Sequence, residues 1–156
     1  MDPTELFGTL VLDEDGHLPD GEHPGTWAAI AATFGEGARR TVLLRRLLML
    51  LQDLRSAGVS DVWLDGSFVT SDPEPGDFDV CWNPIGATKS ALPPEFGYGQ
   101  DVALDPQRSN HELLKLRYGG DVFVHLPPFA DFVALFRQDR EGQPRGIVKV
   151  DMESLP

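Results

Sequence analysis

Cysteine is nearly missing from this chain: Cys81 is the only one in 156 residues. A single thiol excludes an internal disulfide and fits a reducing, cytoplasmic setting, and its apolar surroundings mark it as a small core residue. Positive charge is scarce too, with 13 Lys+Arg against 25 Asp+Glu and a formal net charge of -12. A surface of that sign repels phosphate backbones, so no broad nonspecific nucleic-acid binding is expected; a small nucleotide bringing its own metal ions, or a basic partner protein, stays compatible. No apolar run approaches the ~20 residues of a membrane span, because Arg45-Arg46 interrupt the longest one, and no membrane association is expected. Met1 to Glu5 lack the basic start and apolar run of a signal peptide. Zinc-type His/Cys spacing, a P-loop and a nucleophile elbow are all absent from the sequence.

The length and the ordinary hydrophobic content predict a single domain spanning 1–156: an N-terminal arm and helix over 1–36, then a core over 38–150 containing a long loop, 83–100. Phe7 to Leu12 reads as a short hairpin or extended arm entering the Asp13-Glu14-Asp15-Gly16 turn. Thr26 is placed to cap a helix from Trp27 to Phe34 that stops at Gly35. A longer helix, Ala38 to Ala57, carries Val42, Leu43, Leu47, Leu50, Leu51 and Leu54 on one face and ends at Gly58. Its arginines, Arg39, Arg40, Arg45 and Arg46, read as solvated or paired with acids. Val59 to Leu64 is a strand. The proline and glycine content of Asn83 to Gln100 predicts a loop. Asp105-Pro106 open a helix to about Arg117, Asp121 to Leu126 is a strand, Phe129 to Arg137 a helix whose apolar Phe129, Phe132, Val133, Leu135 and Phe136 are expected to be buried, and Gly146 to Val150 a closing strand. The fold class is therefore α/β (α+β), a short mixed sheet flanked by helices.

One stretch carries chemistry. Leu64-Asp65-Gly66-Ser67 ends a strand in a Gly-Ser turn, and Gly76-Asp77-Phe78-Asp79-Val80 follows as a strand with two carboxylates on one face. Like charges so placed repel one another unless a cation sits between them, which points to a divalent metal. Gly66 lets backbone approach a phosphate, and Ser67 with the amides of the following turn supplies donors to its oxygens. His125 shares a strand face with Asp121; it, His23 and His111 read as packing residues.

This pattern resembles the nucleotidyltransferase superfamily typified by DNA polymerase β: an apolar strand ending in Gly-Ser, a gap of about ten residues, then an acidic-apolar-acidic-apolar strand. The resemblance implies a minimal nucleotidyltransferase fold in which Asp77 and Asp79 hold Mg2+ (or Mn2+), with Gly66 and Ser67 at the nucleoside triphosphate. It also implies a third carboxylate, for which Asp121 is the first choice, Asp105 the second and Asp101 the third. The activity implied is transfer of a nucleoside monophosphate to a hydroxyl of a protein, an RNA end or a small molecule, and small stand-alone members serve as toxin or antitoxin components.

The chain as a whole is similar to a small bacterial domain family without assigned function. The similarity rests on Leu18 to His23 with Thr26-Trp27, on Trp63 to Thr70, and on Asp139 to Val148. Two positions depart from expectation: Asp72 stands where relatives often carry lysine, and Asp65 precedes the Gly-Ser. Lys89, Arg108, Lys115 and Arg117 are the cations that would compensate, each reading as a solvated side chain. Asp72 and the missing base pocket favour an alternative, a noncatalytic member of the fold that binds a partner protein. A metal-dependent phosphohydrolase is the third reading.

Overall fold

The computed structural model describes residues 10–96 and 111–156. The arm over Phe7–Thr9, the end of the long loop, Asp101, the Asp105-Pro106 helix start and Arg108 lie outside the described residues.

Five strands, β1 (Gly21–Gly25), β2 (Val62–Asp65), β3 (Asp79–Trp82), β4 (Asp121–Val124) and β5 (Gly146–Val150), form one mixed sheet in the order β1-β5-β2-β3-β4. The β1–β5 and β3–β4 pairs are parallel; β5–β2 and β2–β3 are antiparallel. Helices α1 (Trp27–Phe34), α2 (Ala38–Ser56) and α3 (His111–Tyr118) cover one face, and α4 (Phe132–Phe136) packs on the other. This is the expected short mixed sheet with flanking helices. No helix among the described residues is long and apolar enough to cross a membrane.

The alternation along the strands assigns the two faces. Leu64, Val80 and Val122 align across β2, β3 and β4, and with Val62, Trp82 and Val124 they meet Leu43, Leu47, Leu50, Leu51 and Leu54 of α2. On the reverse face Trp63, Cys81 and Phe123 form an apolar row under Phe136. Cys81 is a buried core residue, as its setting implies. Val42, expected on the buried face of α2, is 48% exposed because it sits at the edge of the helical stripe.

Several boundaries differ from expectation, each for a local reason. The strand β1 was not foreseen, since Gly21-Glu22-His23-Pro24-Gly25 has neither apolar alternation nor β-branched residues. It is an edge strand with one neighbour, which is where a proline can be accepted. The strand expected from Val59 begins at Val62, because the Val59 amide donates to Leu54 O and closes the end of α2. The long loop contains two 3-10 turns, Lys89–Ala91 and Pro94–Phe96, anchored by buried Leu92 and Phe96. The helix expected over Phe129 to Arg137 is shorter, because Asp131 caps it by accepting from the Ala134 amide while Leu126 and Ala130 exchange backbone bonds. Phe129 and Leu135, expected to be buried, are 73% and 62% exposed.

The arginines of α2 do not all read as expected. Arg40 is only 7% exposed, and its guanidinium donates to the carbonyls of Phe34, Phe68, Thr70 and Asp72. Arg39 donates to the carbonyls of Pro75 and Gly76. Together they hold the backbone from Phe68 to Gly76, so that Asp77 enters from a turn and β3 begins only at Asp79.

Candidate metal and phosphate site

Register, more than the local motif, assembles the carboxylates. Asp65 of β2 is the pairing partner of Asp79 in β3, and Asp79 is the partner of Asp121 in β4. An acidic row therefore runs across three strands, one step beyond the apolar row of Trp63, Cys81 and Phe123. Adjacent strands lie ~4.8 Å apart, so each aspartate is forced against the next. Asp77 joins from the turn before β3; carboxylate oxygens of Asp77, Asp79 and Asp121 all lie within 4.8 Å of one another. The short α4 covers the apolar row, while the acidic row lines a cleft of about 810 Å³.

Burial, and then the charges of Asp77, Asp121 and Asp65, push the Asp79 carboxyl up to about 7, with Arg145 pulling against them. Asp65, 4% exposed, is pushed up to about 6 by burial, opposed by Arg145 and by a hydrogen bond with the Gly66 backbone. Arg145 Nη2 lies 3.1 Å from Asp65 Oδ1, close enough for an ion pair although the angle is too poor for a hydrogen bond. Lys115 of α3 places its ammonium 2.9 Å from Asp77 Oδ2 and 3.6 Å from Asp121 Oδ2.

Gly66 turns the chain out of β2 at φ 95° and ψ -177°, a conformation that essentially only glycine adopts. A Cβ there would sit 3.1 Å from the Asp79 amide nitrogen and 3.3 Å from Asp79 Oδ2. Ser67 opens the 3-10 turn Ser67–Val69, and its hydroxyl donates a long 3.5 Å bond to Asp77 O. Gly66→Ala should therefore cost ~1–3 kcal/mol in denaturant unfolding and push the Asp79 carboxylate out of the row.

Gly66, Ser67, Asp77, Asp79 and Asp121 all line this one cleft, and Asp65 and Asp72 line it with them. Of the three candidates for the third acid, Asp121 stands beside the pair; Asp105 and Asp101 lie outside the described residues. Of the cations, Lys115 bridges two of the acids, whereas Arg117 pairs with Glu95 and Lys89 does not line the cleft. Arg140 and Arg145 line the cleft too, and neither was singled out from the sequence. Their only signal was the Asp139-to-Gly146 turn segment, where Asp139 accepts from the amides of Glu141 and Gln143. His125 is a packing residue, its ring edge-on to Trp63 at 4.9 Å and Nδ1 accepting from the Val133 amide.

Compared with known families, the chain matches a family of unknown function (DUF6932) over residues 10–151. It belongs to that family. Comparison with curated proteins and with solved structures finds no match. The matched region of this DUF6932 chain contains the whole acidic row, the Gly66-Ser67 turn and both cleft arginines.

The donor set in DUF6932 residues Asp77, Asp79 and Asp121 is all carboxylate oxygen, which suits hard divalent cations such as Mg2+ or Mn2+. The oxygens stand close to the span of one ion's coordination shell, and the Lys115 ammonium already lies between two of them. On both counts the residues fit such a metal.

Proposed function

We propose that this protein is a metal-dependent nucleotidyltransferase, moving a nucleoside monophosphate from a nucleoside triphosphate to a hydroxyl acceptor. The observation that carries the proposal is the convergence of Asp77, Asp79 and Asp121 beside the Gly66-Ser67 turn, in a cleft that Arg140 and Arg145 also line. Asp77, Asp79 and Asp121 would hold the magnesium or manganese, which supplies charge neutralisation at the phosphates and activation of the attacking hydroxyl.

The chain's own groups do the rest. Ser67 and the cleft arginines bind phosphate oxygens and hold the α-phosphorus in line with the acceptor. The acceptor oxygen bonds to that phosphorus as its bond to the bridging oxygen breaks, and pyrophosphate leaves toward Arg140 and Arg145. The acceptor proton passes to Asp121, whose side chain is 32% exposed and so open to an incoming hydroxyl. Lys115, itself 51% exposed, would have to leave its bridge between Asp77 and Asp121 for those carboxylates to hold a metal.

A second reading, a fold that binds a partner without turnover, draws support from the same bridge, since Lys115 with Arg145 partly neutralises the acids unaided. Incubation with each α-labelled triphosphate, Mn2+ and cell lysate separates the two: label on protein or RNA is expected, and its absence together with metal-independent partner capture favours the second reading. Manganese with millimolar triphosphate should also raise Tm. At one hundred times Kd the ligand contributes about 2.7 kcal/mol, or roughly 5–10 °C for a domain of this size. No shift with any triphosphate would sink the catalytic proposal.

A further inference from the structure

Beside the acidic row lies a second, apolar pocket of about 560 Å³, lined by His111, Phe123, Phe129, Asp131, Phe132 and Leu135 among others. Phe123 and Leu135 line both spaces, so the two adjoin. Phe123 follows Asp121 by one strand repeat on the same sheet face, which sets the pocket a short step from the carboxylates. We infer that this pocket takes the nucleobase of the triphosphate, resting on the nucleotidyltransferase reading above for the position of the phosphates.

Three features select a flat heteroaromatic ring. Phe123 and Phe132 are stacked at 4.6 Å and 15°, forming a parallel aromatic platform that another ring can extend. Phe129 and Leu135 are left 73% and 62% exposed at its rim, an arrangement that leaves apolar surface in water until something covers it. The polar side chains lining it are His111, whose Nδ1 is buried without a hydrogen-bond partner among the described residues, and Asp131, which brings a carboxylate. Among the described residues no lysine or arginine lines the pocket, so it does not suit a phosphate, whereas the neighbouring cleft has Arg140 and Arg145. Base and phosphates are thereby sorted to two adjoining spaces.

Calorimetric titration of the full chain, with Mn2+ present, by each of the four common nucleoside triphosphates and by inorganic tripolyphosphate tests this. At least one nucleotide should bind about tenfold or more tightly than tripolyphosphate. Phe129→Ser should bring that ratio close to one while leaving the tripolyphosphate Kd unchanged; the side chain is exposed, and an unchanged Tm confirms that the fold is intact. Equal binding of tripolyphosphate and every nucleotide by the wild type overturns the nucleobase assignment alone and leaves the pocket to another occupant, such as an apolar side chain of a partner. A nucleotide preference that survives Phe129→Ser overturns it too. If neither tripolyphosphate nor any nucleotide binds, the nucleotidyltransferase reading fails, and the assignment with it.

Discussion

Asp79→Asn should make the metal-free protein more stable at pH 8 and at the same time abolish its stabilisation by metal and triphosphate. The two effects have one cause. Asp79 sits in the middle of the acidic row, between Asp65 and Asp121 and against Asp77, and its carboxyl is pushed up to about 7 by burial and by those neighbours. A carboxyl raised in the folded state binds its proton there at a pH where the unfolded chain has already lost it. Between about pH 4 and pH 7 the native state thus holds more protons than the unfolded one, and stability falls as pH rises. The contribution is full below the unfolded value and is lost as pH passes through the folded value near 7. Asparagine carries no charge to desolvate, so the slope should flatten. The gain at pH 8 is about 2 kcal/mol, half of what so large a shift would store unscreened, because water and Lys115 reach the row. Urea unfolding of both proteins at pH 5 and pH 8 measures it; equal slopes would refute the electrostatic account. Metal binding runs the other way, since it needs the ionised carboxylate, and Mn2+ affinity should rise with pH through the same region.

Arg40→Ala should lose ~3–5 kcal/mol of stability. Its guanidinium is buried and donates to four carbonyls drawn from the end of α1 and from the segment after Gly66, and its charge lies 5.5 Å from the Phe68 ring centre. Removing it strands those carbonyls where water reaches them poorly and leaves a cavity beside Phe68. The backbone held by Arg40 and Arg39 is the link between the Gly66-Ser67 turn and Asp77, so the loss should be felt at the site as well. Chemical denaturation gives the stability, and any Mn2+-dependent triphosphate binding should weaken even where the variant is folded. A change under 1 kcal/mol would show that the carbonyls find other partners.

The helices α1 and α2 were legible because their information is local. Thr26 accepts from the Ala29 amide as an N-cap, and Leu43, Leu47, Leu50, Leu51 and Leu54 are all buried along one stripe. The strand β5 has the expected bounds, Gly146–Val150, since a segment rich in β-branched residues after a turn leaves little choice. β1 was illegible: its sequence has no strand character, and only the parallel pairing of Gly21–Gly25 with β5 makes it one. Arg40 looked like any polar-face arginine, because three of its four acceptors, the carbonyls of Phe68, Thr70 and Asp72, come from chain far away in sequence. Phe129 and Leu135 looked like core residues, since hydrophobicity does not say which apolar groups are left over once the row of Trp63, Cys81 and Phe123 has been covered.

By itself the sequence determined the carriers of the chemistry: a Gly-Ser turn after a buried strand, and the closely spaced Asp77 and Asp79, of which only Asp79 lies in the strand. Those properties follow from backbone geometry over a few residues. The tertiary structure alone decided which distant groups meet them. The β2–β3–β4 register puts Asp65 and Asp121 on either side of Asp79, α3 brings Lys115 to the bridge, and the turn before β5 sets Arg145 against Asp65. Pairing register is fixed by packing on the opposite face of the sheet, where Leu64, Val80 and Val122 must align under α2; the acidic row is the reverse side of that constraint.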